Sequence, residues 1–144
     1  MVDNTLVELA VGECHALLGD HHLGRLAFLD RAGVMPMIIP VNYLFHDERV
    51  VFRTDPGSKL LAALHGTPVA FEVDGADEQQ QLGWSVVVRG FLKQVTDPDE
   101  RDRLSVTPLV TWAPGAKDHY VLIEPRLVTG RRIRMPDLPT RWFG

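Results

Sequence analysis

Two short segments of the chain carry residue types and spacings that could do chemistry. The first is Phe52-Arg53-Thr54-Asp55-Pro56-Gly57-Ser58-Lys59-Leu60. An apolar stretch ends by presenting a guanidinium and a hydroxyl, turns through Pro-Gly, and restarts with a hydroxyl and an ammonium. Such an arrangement suits a phosphate: free backbone N–H groups and the positive dipole end at a helix start, a forked Arg, and a Lys point charge. Asp55 stands awkwardly in it, since it can cap the helix but repels a phosphate if turned inward. On spacing alone, a capped helix with solvated basic residues accounts for the same residues.

The second segment is Ile38-Ile39-Pro40-Val41-Asn42-Tyr43. Pro40 has no N–H to give a strand ladder, so backbone groups near it are available to a ligand. Asn42 adds donors and an acceptor, and Tyr43 adds an aromatic face. A flat ring with one polar edge, such as an isoalloxazine, needs that mixture. A bent edge strand has the same sequence pattern.

The elements that must position these segments follow from the punctuation of the chain. A helix is expected over Val11 to Gly19, and a strand through Leu26 and Phe28 to the turn Asp30-Arg31-Ala32-Gly33. The return strand runs from Met35 to Phe45, bent or at an edge because of Pro36 and Pro40. Val50 to Thr54 is the next strand, and Ser58 to Leu64 a short helix with Leu60, Leu61 and Leu64 on one face. Thr67 to Val73, closed by Asp74-Gly75, and Trp84 to Val95 follow as strands. Thr96-Asp97-Pro98-Asp99-Glu100 starts a helix reaching Leu104, with a cap, an early proline and acidic residues near the positive dipole end. Tyr120 to Arg134 supplies a final strand or two, interrupted at Glu124-Pro125. About six strands with short turns point to a mainly β barrel with short helices, not to alternating βαβ units.

The totals narrow the function classes. The chain has 144 residues, 45% hydrophobic and 24% charged, the size and balance of one packed domain over 1–144 with peripheral tails at 1–10 and 135–144. A net charge of −4 argues against a general nucleic-acid binder, leaving Arg131, Arg132 and Arg134 as a local basic exception. On an alternating strand Arg132 and Arg134 face one way and Arg131 the other. No apolar run reaches the roughly 18–20 residues that span a bilayer, and Met1-Val2-Asp3-Asn4 does not read as a signal peptide. A cytoplasmic location is expected, without membrane or nucleic-acid partners. The single cysteine, Cys14, excludes an intrachain disulfide and fits a packing role. Six histidines, two of them adjacent at His21 and His22, form no metal-ligand spacing, and no metal is expected. There is no Gly-x-Ser-x-Gly, Walker loop or His-Glu-x-x-His, so no catalytic side chain is assigned.

The order Gly24-Arg25-Leu26-Ala27-Phe28, Pro40-Val41-Asn42-Tyr43, Phe52-Arg53-Thr54 with Gly57-Ser58-Lys59-Leu60, then Val69-Ala70-Phe71-Glu72-Val73-Asp74 resembles the pyridoxamine 5′-phosphate oxidase-like superfamily of flavin-binding split barrels. Gly83-Trp84-Ser85-Val86-Val87-Val88-Arg89-Gly90 and Thr129-Gly130-Arg131-Arg132-Ile133 extend the likeness over residues 11 to 134. The resemblance implies a six-stranded Greek-key split β-barrel that forms a homodimer, with cofactor sites at the interface. It implies that Arg53, Thr54, Ser58 and Lys59 hold the FMN phosphate and that Pro40, Val41, Asn42 and Tyr43 lie along the ring. Trp84 and Ser85 are implied contacts of the same cofactor. The implied function is that of an FMN-dependent oxidoreductase acting on a small substrate. The deazaflavin F420, whose anionic tail the terminal arginines would suit, is the alternative cofactor. A flavin carrier without turnover is the alternative of a different class.

Overall fold

The computed structural model describes residues 6–54, 63–77, 79–107, 109 and 119–134. Its architecture is mainly β, a single antiparallel sheet curled into a split half-barrel. The elements are β1 (Leu6–Glu8), α1 (Val11–Gly19), β2 (Leu23–Leu29), β3 (Pro36–Asn42), β4 (Leu44–His46) and β5 (Arg49–Thr54). They continue with β6 (Pro68–Asp77), β7 (Leu82–Gln94), α2 (Pro98–Ser105) and β8 (His119–Arg134). The sheet order is β3-β2-β6-β7-β8-β5-β4, with β1 paired to the last residues of β8.

Local chemistry explains most boundaries. In α2 the Asp97 carboxylate accepts from the Asp99 N–H and Pro98 opens the first turn, as the sequence predicts. The β2–β3 turn is held by the Asp30 carboxylate, which accepts from the N–H groups of Val34 (3.1 Å) and Met35 (3.3 Å). Those N–H groups hold its pKa below the ordinary carboxylate value. The β4–β5 hairpin turns in two residues, Asp47 and Glu48, both at positive φ (55° and 58°), the geometry whose twist matches paired strands.

Three sequence expectations need correction. The stretch from Met35 to Phe45 is two strands, because the chain corners at Tyr43, whose N–H donates to His22 O at 2.9 Å. Asp74-Gly75 does not close β6; the ladder with β7 continues to Asp77↔Leu82, and Gly75 sits opposite Trp84. Pro125 does not break β8 either. The register with β7 passes from Arg89↔Leu127 to Gly90↔Pro125, so Arg126 is the extra residue of a β-bulge. Gly90 allows this: a Cβ there would overlap the Glu124 carbonyl. The helix expected over Ser58 to Leu64 lies almost wholly outside the described residues, as do the segment 110–118 and the tail 135–144. With the short β1 and β4 counted, the described strands number eight; six of them are longer than three residues.

The core fills the concave side of the sheet. Leu26, Phe28, Phe52, Phe71, Val86, Val88 and Ile123 meet there, plugged by Cys14 and Leu18 of α1. Tyr43 and Phe52 pack edge-on to Phe71, with ring centroids 4.8 and 5.6 Å away. A second apolar cluster lies on the convex side of β5 and β8, where Val51, Tyr120 and Leu122 are covered by Leu104 of α2. Burial on both faces explains why Val50-Val51-Phe52 and Val121-Leu122-Ile123 are unbroken apolar runs without alternation. The Arg49 guanidinium donates to Glu100 at 2.6 Å and ties α2 to β5. Among the described residues no helix is long and apolar enough to cross a membrane.

Candidate functional site

Among the described residues the sheet is not closed, and its opening lies between β3, with the Pro40–Tyr43 corner, and the end of β5, with Arg53. Among the described residues β3 has a ladder partner, β2, on one side alone. β5 pairs β8 along its length, while on its other side the described ladder with β4 covers Arg49–Val51. That ladder stops before Phe52. Because only Tyr43 separates β3 from β4, the open edge of β3 is brought up to β5. Two strand edges whose ladders run out thus flank one split, a concentration of backbone donors and acceptors that folded proteins satisfy with a ligand, water or another chain.

The alternation of β3 sorts its residues. Ile39 and Val41 pack toward the core, whereas Pro40 and Asn42 stand on the opposite face. Pro40 is exposed and Asn42 half-buried. The Tyr43 side chain is 1% exposed within the core, and its hydroxyl donates to Leu18 O at 2.6 Å. Burial pushes the phenol pKa far above its ordinary value, so the group stays a neutral donor. Tyr43 therefore anchors the corner of the split, and its aromatic face is turned inward.

Arg53 lies on β5 opposite Tyr120, half-buried at the end of the strand, and Thr54 pairs His119. Ser58 and Lys59 fall outside the described residues. Trp84 and Ser85 are separated by the alternation of β7. Ser85 pairs Asp74 and Arg131 on the convex face. Trp84 faces inward, its indole laid over Gly75 and its ring 4.8 Å from that of His21. A Cβ on Gly75 would come within 2.8 Å of the indole, so the glycine makes the room that Trp84 occupies. His21 is itself held by donating Nδ1–H to Leu17 O at 2.8 Å. One ligand cannot lie against Trp84 and Ser85 on the same face.

Beside the split lies a charged group that motif reading missed. Arg25, directly across from Pro40 on β2, donates to Glu72 and, at 2.7 Å, to Asp74 of β6. These bonds raise the guanidinium pKa further and hold the side chain flat along the convex face. Its signal in the sequence was the charge at outward positions of two neighbouring strands, legible only once β2 and β6 are known to pair.

Comparison with known proteins gives this geometry a lineage. The family model for pyridoxamine 5′-phosphate oxidase matches residues 10–132. The chain belongs to the pyridoxamine 5′-phosphate oxidase family. The chain is 40% identical over 133 residues to the uncharacterized protein Rv0080 of Mycobacterium tuberculosis, covering 89% of this chain and 86% of that one. Among solved structures it is similar to the FAD-binding protein of Mycobacterium smegmatis, at 34% identity and a TM-score of 0.75, covering 90% and 99% of the two chains. A FAD-binding protein of Mesorhizobium loti superposes with a TM-score of 0.70 at 28% identity, covering 88% and 97%. The family match spans both the Pro40–Tyr43 corner and Arg53, the two flanks of the split.

Proposed function

We propose that this member of the family binds a flavin nucleotide at the β3–β5 split and serves as a flavin-dependent oxidoreductase for a small substrate. One observation carries the reading: two strand edges whose ladders run out face each other across a gap that has Arg53 at the end of β5. The residues fit the group. Backbone and the Asn42 amide along β3 match the polar edge of an isoalloxazine, and Arg53, with Thr54, Ser58 and Lys59 following, matches its phosphate. When bound, the flavin supplies the electron transfer, and the chain binds and orients it. FMN contains the required ring and phosphate. The FAD-binding relatives favour FAD as a second reading, since FAD shares that half of the molecule.

A homodimer completes the site in this reading. Val34 and Met35 at the β2–β3 turn and Ile38 on β3 are exposed apolar residues, and in this reading a second copy buries them. Titration of the purified protein with FMN, FAD, F420 and haem, followed by absorbance and fluorescence, tests the proposal. FMN or FAD is expected to bind at micromolar concentration or better. Arg53→Ala combined with Lys59→Ala is expected to weaken it by about 3–6 kcal/mol, at about 1.5–3 kcal/mol for each charged hydrogen bond. Absence of flavin binding overturns the reading, and preference for F420 moves the protein to the deazaflavin alternative. Anaerobic mixing of the loaded protein with a reduced nicotinamide then separates an enzyme from a carrier.

A further inference from the structure

The connection from β5 to β6 ends in a β-turn over residues 64–67. The Thr67 N–H donates to Leu64 O at 2.9 Å, and Gly66 stands third in the turn with φ 80°, a position that favours glycine. Leu64 is buried in the core, and His65 beside it is exposed. The turn carries the β6 side of the β7 ladder past Pro68. Gly66 N–H donates to Leu92 O at 2.7 Å, and Leu92 N–H donates to Thr67 O at 3.0 Å.

Two residues further along β7, the Gln94 N–H points the same way. In a continued ladder its acceptor would be a backbone carbonyl. Here it is the imidazole of His65, whose Nδ1 accepts from Gln94 N–H at 3.0 Å. A backbone amide always donates, so this Nδ1 carries no proton and the ring is the neutral Nε2–H tautomer. An imidazolium has N–H at both nitrogens and would set one donor against another. The bond therefore exists only while His65 is neutral.

The titratable groups on the elements around the turn are Asp30 and Arg31 of the β2–β3 hairpin, Lys93 on β7, His119 and Glu124 on β8, and Asp97 at the start of α2. Asp30 accepts from hairpin N–H groups, Lys93 is held by Glu124 at 2.9 Å, and Asp97 caps α2. Among the described residues none of them is hydrogen-bonded or ion-paired to His65, so the Gln94 bond is the contact that a proton on this ring breaks.

We propose that His65 is a pH-operated clasp: neutral, it fastens the 64–67 turn to β7, and on taking a proton it lets the turn go. Histidine changes charge between about pH 8 and pH 5, so the clasp is closed at the alkaline end of that range and open at the acid end. Its consequence for the cofactor rests on the proposed flavin site. In the chain, Ser58 and Lys59 lie between Arg53, held in β5, and this turn. Protonation loosens the downstream anchor of the proposed phosphate-binding residues and weakens flavin binding.

The test is amide hydrogen exchange on the full chain without cofactor, read at Gln94. Val95, which donates to Tyr120 O on the other side of β7, is the reference. Across that pH range the Gln94 protection factor should fall about three- to tenfold relative to Val95, the worth of one net hydrogen bond. His65→Asn, whose Oδ1 can take the place of Nδ1 and does not titrate, should keep the protection at both ends of the range. His65→Ala should lose it at both. FMN titrations then carry the test to the cofactor. The FMN phosphate itself takes a proton near pH ~6 in every variant, so the readout is a difference. Wild-type affinity should fall about three- to tenfold more on acidification than that of His65→Asn. Gln94 protection that is constant with pH in the wild type, or unchanged in His65→Ala, overturns the clasp. Equal pH dependence of FMN affinity in the wild type and His65→Asn overturns its link to the cofactor. If no variant binds FMN, the flavin proposal falls together with that link, while Gln94 exchange still decides the clasp.

Discussion

Tyr43 shows how one side chain can be central to the fold beside a proposed site. It lies in the segment expected to border a ligand, yet its ring sits in the core and its hydroxyl reaches Leu18 O. Tyr43→Phe should cost about 1–2 kcal/mol in urea unfolding, because the buried Leu18 carbonyl loses its side-chain donor. The pH dependence has a definite sign. The folded-state pKa is raised above the ordinary value of 10.0, so the neutral phenol is the native form. Its contribution is fully present below pH 10 and falls as the unfolded chain ionises above it, by up to about 1.4 kcal/mol per pH unit. Alkaline unfolding curves should therefore be less steep above pH 10 in Tyr43→Phe. Equal slopes would mean that the phenol does not control the alkaline limb. Nothing in the residue type foretold this burial, since Tyr offers an aromatic face and a hydrogen bond to ligand and core alike.

Elements were legible where local chemistry decides them. The start of α2 follows from side chains within a turn of it, the Asp97 cap and Pro98. The long ribbon of β6 and β7 was less legible, because Asp74-Gly75 reads as a turn until Trp84 is known to lie over Gly75. Pro125 misleads in the same way. It is tolerated in β8 because the bulge at Arg126 and the missing side chain of Gly90 let the two backbones approach. Gly90→Ala should force β7 and β8 apart at the bulge and cost about 1–3 kcal/mol, read from denaturant midpoints. A neutral outcome would show that the ladder can open there without loss.

For the whole molecule, the open edge of β3 matters most. Ile38 is 68% exposed on a strand that has one ladder partner among the described residues, a combination that invites another chain. If a second copy covers it, Ile38→Lys should convert dimer to monomer in sedimentation experiments. It should weaken flavin binding in parallel while changing monomer stability by no more than about 0.5 kcal/mol. A dimer that survives the lysine would place the interface on another surface.

The sequence by itself determined the mainly β architecture, the positions of both described helices and the residue types that suit a phosphate and a polar ring edge. Those depend on periodicity, caps and turn residues, which act over a few neighbouring positions. Only the tertiary structure decided that the Pro40–Tyr43 corner and Arg53 flank one split, that Trp84 and Ser85 face apart, and that Arg25 is held by Glu72 and Asp74. Each of these depends on strand pairing and register across long separations. A shift of one residue in that register would exchange the two faces of the sheet.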